Sequence, residues 1–303
     1  MTPATGPGLH ELEAYASSKS ERPMRMKSDR NRGGQHGGSW NLADIDLTRI
    51  ERGILRDDWF FYYLVAAASF VETAADLYTS NLVLHFPDPL AREWLAKYWQ
   101  PEEIQHGRAL RAYTEAAWPG LDWQQGYASF FEEYSQLCTM EQLEPSRALE
   151  MAARCVVETG TATFYTSLHA CAHEPVLKQL TGLIRRDEVR HYNHFRTFYL
   201  SYQAEERVGR LTVLRALRQR FTEAEREDAL IGFKHAWRML HPGKLFRDQH
   251  FAAFMQDVRK RLLPYYPYRM AVQMLLQPLR LNRALQKLAV PLLVHGARRL
   301  MYA

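Results

Sequence analysis

The sequence predicts an all-α protein: four long helices in a bundle, with a crossover between the second and third, and a C-terminal helical extension. Apolar residues recur at helical spacing through most of the chain, and no stretch alternates as a half-buried strand does. Proline, glycine and capping residues divide that pattern into segments far too long for strands. The links between these segments run short, long, short.

The first 45 residues carry Gly, Ser, Pro and mixed charge without periodicity, including Arg32-Gly33-Gly34-Gln35-His36-Gly37-Gly38, and are expected to form a flexible arm. Residues 46–205 hold the bundle. Its first helix spans about Leu47 to Leu84, with a break near Gly53, and stops before Phe86-Pro87-Asp88-Pro89. Asp88 is placed to cap a second helix with Pro89 at its first position. That helix ends at Trp118-Pro119-Gly120, and a long link follows with a short helix around Tyr127 to Leu137. The third helix covers about Pro145 to His173. The fourth runs from after Glu174-Pro175 to about Ala204. Short links make neighbours antiparallel and a long one permits a crossover, which together give the ferritin-like arrangement. Residues 206–303 read as further amphipathic helices (Leu211–Arg220, Glu223–Leu240, Asp248–Leu263), then short pieces broken by Pro264, Pro267, Pro278 and Pro291.

Composition narrows the class. Hydrophobic residues make up 47%, enough for a sizeable core. Three cysteines without metal-type spacing suit a reducing cytosol, and neither a signal peptide nor a spanning helix is evident, so a cytoplasmic protein is expected. The net charge is +5, and from Val258 to Ala303 there are nine Lys or Arg and no Asp or Glu. Such a tail seeks an acidic protein or a lipid headgroup surface, with nucleic acid the weaker option; a solvated helix face is the bland alternative.

Chemistry enters through a repeated pattern. Glu103 and His106, and again Glu188 and His191, stand three apart on helices, where they share a face about 4.5 Å apart along the axis. A lone Glu-x-x-His is weak, because such pairs are common on exposed helices. Here each copy follows a helix with one Glu in an apolar, small-residue setting, Glu72 in Ala66-Ala67-Ala68-Ser69-Phe70-Val71-Glu72 and Glu158 after Cys155-Val156-Val157. A buried carboxylate without a partner costs several kcal/mol, so two of them call for compensation. Four Glu and two His from four helices is how a bundle core holds two iron or manganese ions. Glu72 to Glu103 spans 31 residues and Glu158 to Glu188 spans 30, so the halves match. Glu102 and Asp187, each just before a ligand Glu, are expected to orient the histidines from outside. Gly160 and Thr161 offer space for dioxygen, with the Thr161 hydroxyl beside the metals; close helix packing is the competing explanation. His169 and His194 are read as spare or structural histidines.

At these residues the chain resembles the soluble acyl-carrier-protein desaturases of the ferritin-like superfamily. Trp99-Gln100-Pro101-Glu102-Glu103-Ile104-Gln105-His106-Gly107 is similar to their Glu-Glu-x-x-His-Gly motif and Asp187-Glu188-Val189-Arg190-His191 to their Asp-Glu-x-x-His motif, while Thr161 stands three residues after Glu158 as the family's threonine does. The resemblance covers about residues 55–205. It implies a di-iron (or Mn/Fe) oxidase with dioxygen as co-substrate, electrons from a donor such as ferredoxin, and a fatty acyl chain on an acidic acyl carrier protein. The implied reaction is desaturation or hydroxylation. Thr161 would be catalytic, and a homodimer or peripheral membrane contact through the basic tail is compatible. The ribonucleotide reductase small subunit would need a tyrosine where Leu110 stands, and the arylamine N-oxygenases a histidine at Ile184. N-oxygenation of a small or carrier-bound substrate, and iron handling as a ferroxidase, are the alternative functions.

Overall fold

The computed structural model describes residues 40–139 and 143–302, without the side chains of 223–227. Every regular element among them is helical. In chain order these are α1 (Arg52–Leu55), α2 (Trp59–Thr73), α3 (Ala75–His85), α4 (Pro89–Trp94), α5 (Gln100–Ala117), α6 (Trp123–Tyr134), α7 (Arg147–Cys171), α8 (Pro175–Glu206), α9 (Arg210–Leu240), α10 (Asp248–Asp257), α11 (Tyr268–Leu276) and α12 (Arg283–Tyr302).

Local chemistry sets most of the ends. Asp88 Oδ1 accepts from the Leu90 amide at 3.1 Å with Pro89 in the first turn, as its sequence position predicts. Ser146 caps α7 by accepting from Leu149 N. Glu174 caps α8 by accepting from Val176 N and Leu177 N, with Pro175 at the first position. Helix α8 stops where Arg207 turns left-handed at φ 52°.

Five features differ from or add to the sequence reading. The long first helix begins only at Trp59; before it come two single-turn 3-10 helices, Leu42–Asp44 and Leu47–Arg49, each followed by a buried isoleucine in extended conformation, Ile45 and Ile50. The helix is interrupted at 56–58, close to the break expected near Gly53, and a second time at Ala74, two residues after Glu72. The second helix contains a π-helical turn, Leu95–Trp99, just before Glu102, the kind of irregularity that re-aims side chains at sites. Arg210–Leu240 is one helix, since no proline or glycine interrupts it near 221, and Pro291 sits inside α12, where it removes one backbone hydrogen bond and crowds the Lys287 carbonyl without ending the helix. Of the expected arm, residues 1–39 lie outside the described residues. Trp40 and Ile45 at its end are buried.

Packing makes two antiparallel pairs, α2 against α5 and α7 against α8, and α5 also meets α8. Helix α9 crosses α2, α6 and α7. Its Val213, Ala216 and Leu217 enter one apolar cluster, and its Ile231, Phe233, Ala236 and Trp237 enter the other. The Tyr62 hydroxyl donates to the Ala236 carbonyl at 3.1 Å. The segment Trp59–His85 is long and apolar enough to cross a membrane by composition, but 61% of its most apolar window is buried inside the fold. It is a core segment here.

Helices α2 and α5 approach most closely at Gly107, where a Cβ would lie 2.6 Å from the Thr73 amide nitrogen and 2.8 Å from its Cα. At Gly126 the obstruction is instead the flexible end of Met239. Gly107→Ala is expected to cost about 1–3 kcal/mol in urea unfolding, and Gly126→Ala clearly less; equal losses would remove the backbone-contact explanation.

Candidate metal centre

Four helices each send carboxylates or imidazoles into one buried spot. Glu72 comes from the last turn of α2, Glu103 and His106 from the start of α5, Glu158 from the middle of α7, and Glu188 and His191 from the middle of α8. None of the six is more than 5% exposed. They fall into two sets of four, Glu72, Glu103, His106, Glu188 and Glu103, Glu158, Glu188, His191, and within each set the candidate ligand atoms lie within 4.8 Å of one another. Glu103 and Glu188 belong to both sets. Two adjacent cation positions with two shared carboxylates are what this arrangement can hold.

The histidines are oriented alike. His106 turns Nδ1 inward, 3.1 Å from Glu188 Oε1, and Nε2 outward, 3.2 Å from Asp187 Oδ2. His191 turns Nδ1 toward Glu103 Oε1 at 3.0 Å and Nε2 toward Glu102 Oε2 at 2.7 Å. A proton on each Nε2, donated to the outer acid, leaves the Nδ1 lone pair facing the centre. The support is crossed: the acid of α8 holds the histidine of α5, and the acid of α5 holds the histidine of α8. Arg190 bridges the two outer acids, 2.8 Å from both Glu102 Oε2 and Asp187 Oδ1.

The inner atoms are short of partners. His106 Nδ1, His191 Nδ1, Glu158 Oε2 and Glu188 Oε1 are buried and make no hydrogen bond. Buried polar atoms are nearly always satisfied, so four orphans divided between the two sets fit cations. The protonation pattern agrees. Burial and the neighbouring Glu103 and Glu188 push Glu72 well above the usual carboxylate range, and burial does the same to Glu158, reinforced by Glu188 and opposed by His191. Burial works against charge on His106 and His191, yet the surrounding carboxylates hold both well above the ordinary histidine value. Burial would raise Glu188 too, but the two histidines beside it, 3.1 and 3.8 Å away, keep it low. Glu72, Glu158 and the two histidines thus all favour their protonated forms.

Thr161 Oγ1 donates to Glu188 Oε2 at 2.8 Å, so the hydroxyl touches the cluster through a carboxylate. Gly160 is exposed, and a Cβ there would meet nothing within 4 Å, so the space at this pair opens on the outside of α7. His169 bonds the Lys178 carbonyl and His194 stacks on Trp94; neither joins the cluster.

Three contributors escaped the sequence reading. Tyr165 donates to Glu72 Oε1 at 2.6 Å; it stands seven residues after Glu158, two turns along the same face, and that spacing could have identified it. Arg190 was legible only as the variable position of its motif. Trp40 carried no signal at all. Its indole Nε1 donates to Asp187 Oδ2 at 2.7 Å, its ring stacks on His106 with centroids 6.1 Å apart, and its carbonyl accepts from Gln105. Comparison with known proteins finds no match, either among family models or among curated proteins.

Trp40→Phe keeps a ring over His106 but deletes the indole N–H, leaving buried Asp187 one donor short. A loss of about 1–3 kcal/mol in urea unfolding is expected; a change near zero would mean that the indole only fills space.

Proposed function

We propose that this chain is a di-iron oxidoreductase on a ferritin-like bundle with a crossover, oxidising a C–H bond of a fatty acyl substrate by desaturation or hydroxylation. The observation that carries it is the pair of four-residue sets sharing Glu103 and Glu188. Oxygen and imidazole donors without thiolate favour iron or manganese over the thiophilic metals. When bound, such a pair of ions supplies dioxygen activation, the hard part of the chemistry.

The rest falls to the protein. Glu72, Glu103, His106, Glu158, Glu188 and His191 would hold the ions. Asp187 and Glu102 fix the two imidazole tautomers by accepting from Nε2. The Tyr165 hydroxyl orients Glu72 and the Thr161 hydroxyl orients Glu188. Burial of all six ligands excludes bulk water from the reacting oxidant. The fatty acyl class rests on the desaturase-like motifs. An electron donor such as ferredoxin and an acidic acyl carrier protein complete the reading.

Elemental analysis of iron-loaded protein is expected to return about two ions per chain. Glu103→Gln or Glu188→Gln should lose both, and Glu72→Gln or Glu158→Gln should retain about one. Aerobic turnover with a reductant and acyl-carrier or free fatty acid panels, read by mass, should show loss of two hydrogens for desaturation or gain of one oxygen for hydroxylation. Iron no higher than in the Glu103→Gln protein would sink the proposal, and hundreds of ions per assembly would make the protein an iron store.

Protons and metal compete for the same atoms, which sets a pH dependence. Glu72 and Glu158 have folded values above the ordinary 4.5, so their stabilising contribution fades as pH rises from there through the folded values. The two histidines, raised above 6.5, behave the same way at higher pH. Chelator-treated protein should therefore lose thermal stability as pH rises from about 6 to 9, while metal raises the melting temperature most at the alkaline end. Calorimetry in buffers of different ionisation enthalpy should show proton release on binding.

A further inference from the structure

The C-terminal helix α12 docks on α11 by one face only. Val290 is buried there, Gln286, Val294, Ala297 and Met301 are half-buried, and the Arg298 guanidinium lies 5.3 Å from the centre of the Tyr268 ring. The opposite face is apolar and open. Leu285, Leu288 and Leu292, at i, i+3 and i+7, are 49%, 65% and 66% exposed, and Leu300 is 77% exposed further along. Isolated exposed leucines are ordinary, but a continuous row of them along one helix marks a contact surface.

Charge identifies what covers it. Of the nine Lys and Arg of 258–303, Arg283, Lys287, Arg298 and Arg299 lie on α12 itself and Arg269 on α11, and the stretch has no acid. Between α11 and α12 a groove of about 480 Å³ is lined by Arg269, Arg283 and Lys287 with Gln273, Gln277 and Gln286, and by apolar Leu276, Val290 and Pro291. No carboxylate lines it. A second copy of the chain would bring the same cations against these, so self-association through this face is opposed. The complementary occupant is anionic, accepts hydrogen bonds and carries apolar chains. From Leu285 to Leu292 the row extends about 10 Å, which suits a helix lying in the plane of a bilayer interface, its leucines among the acyl chains and its cations level with headgroups.

We propose that the leucine face of α12, with the adjoining groove of Arg269, Arg283 and Lys287, seats the protein on a membrane surface rich in anionic phospholipid. This surface lies apart from the buried metal cluster and stands or falls independently of it.

Full-length protein sedimented with phosphatidylcholine vesicles, with and without phosphatidylglycerol, tests it. Binding should require phosphatidylglycerol and weaken as salt rises. Leu288→Glu with Leu292→Glu should lower partitioning at least about tenfold, and Arg269→Gln with Arg283→Gln and Lys287→Gln should remove the lipid preference. Circular dichroism and iron content should be unchanged in both variants, because the altered side chains are remote from the core and the ligands. No binding to phosphatidylglycerol vesicles at low salt would overturn the proposal. So would binding indifferent to the leucine changes, or capture of an acidic carrier protein without any vesicle binding.

Discussion

Placing four carboxylates and two imidazoles together, away from water, is the constraint around which the rest of this fold is arranged. Each carboxylate alone would be costly to bury, and each raises the proton affinity of its neighbours. The strain on them shows in opposite directions: Glu72 and Glu158 are driven toward the neutral form, while Glu188 stays ionised between two histidines. A cluster that splits this way has room for positive charge at its centre. Protons supply it in one state, and the inward lone pairs suit metal ions in another.

The surrounding structure supports that centre rather than merely enclosing it. The outer acids Glu102 and Asp187 are held by Arg190, and Asp187 also by Trp40, so each imidazole is positioned by a group that is itself positioned. Helical irregularities fall beside the ligands: the break at Ala74 follows Glu72, and the π turn at Leu95–Trp99 precedes Glu102 and Glu103. Gly107 lets α2 and α5 approach at the same level, one residue beyond His106. These features lie on α2 and α5, whereas α7 and α8 carry Glu158, Glu188 and His191 on uninterrupted helices.

Beyond the two central pairs, the chain divides its labour. Helix α9 belongs to the interior, contributing to both apolar clusters. Helix α12 does not; it is anchored by one face and leaves its leucines outside. The same helical periodicity serves burial in one and outward contact in the other, and only the neighbours decide which.

How much was legible in the residues follows from the range of the interactions. Helical class, the cap at Asp88, and the six cluster residues with Glu102 and Asp187 were readable, because i, i+3 spacing and lone acids in apolar runs are local signals. Sequence could also suggest that each outer acid serves a histidine across the helix pair, since the two motifs are alike. It could not reveal Trp40, which reaches Asp187 across 147 residues of chain, nor turn Tyr165 toward Glu72, nor aim the Thr161 hydroxyl at Glu188. Nor could it foresee the break at Ala74 or the continuity of α9, because both depend on what packs alongside. Short-range pattern determined which residues carry the chemistry; the tertiary structure decided which atoms of those residues face one another, since that depends on contacts between segments far apart in the chain.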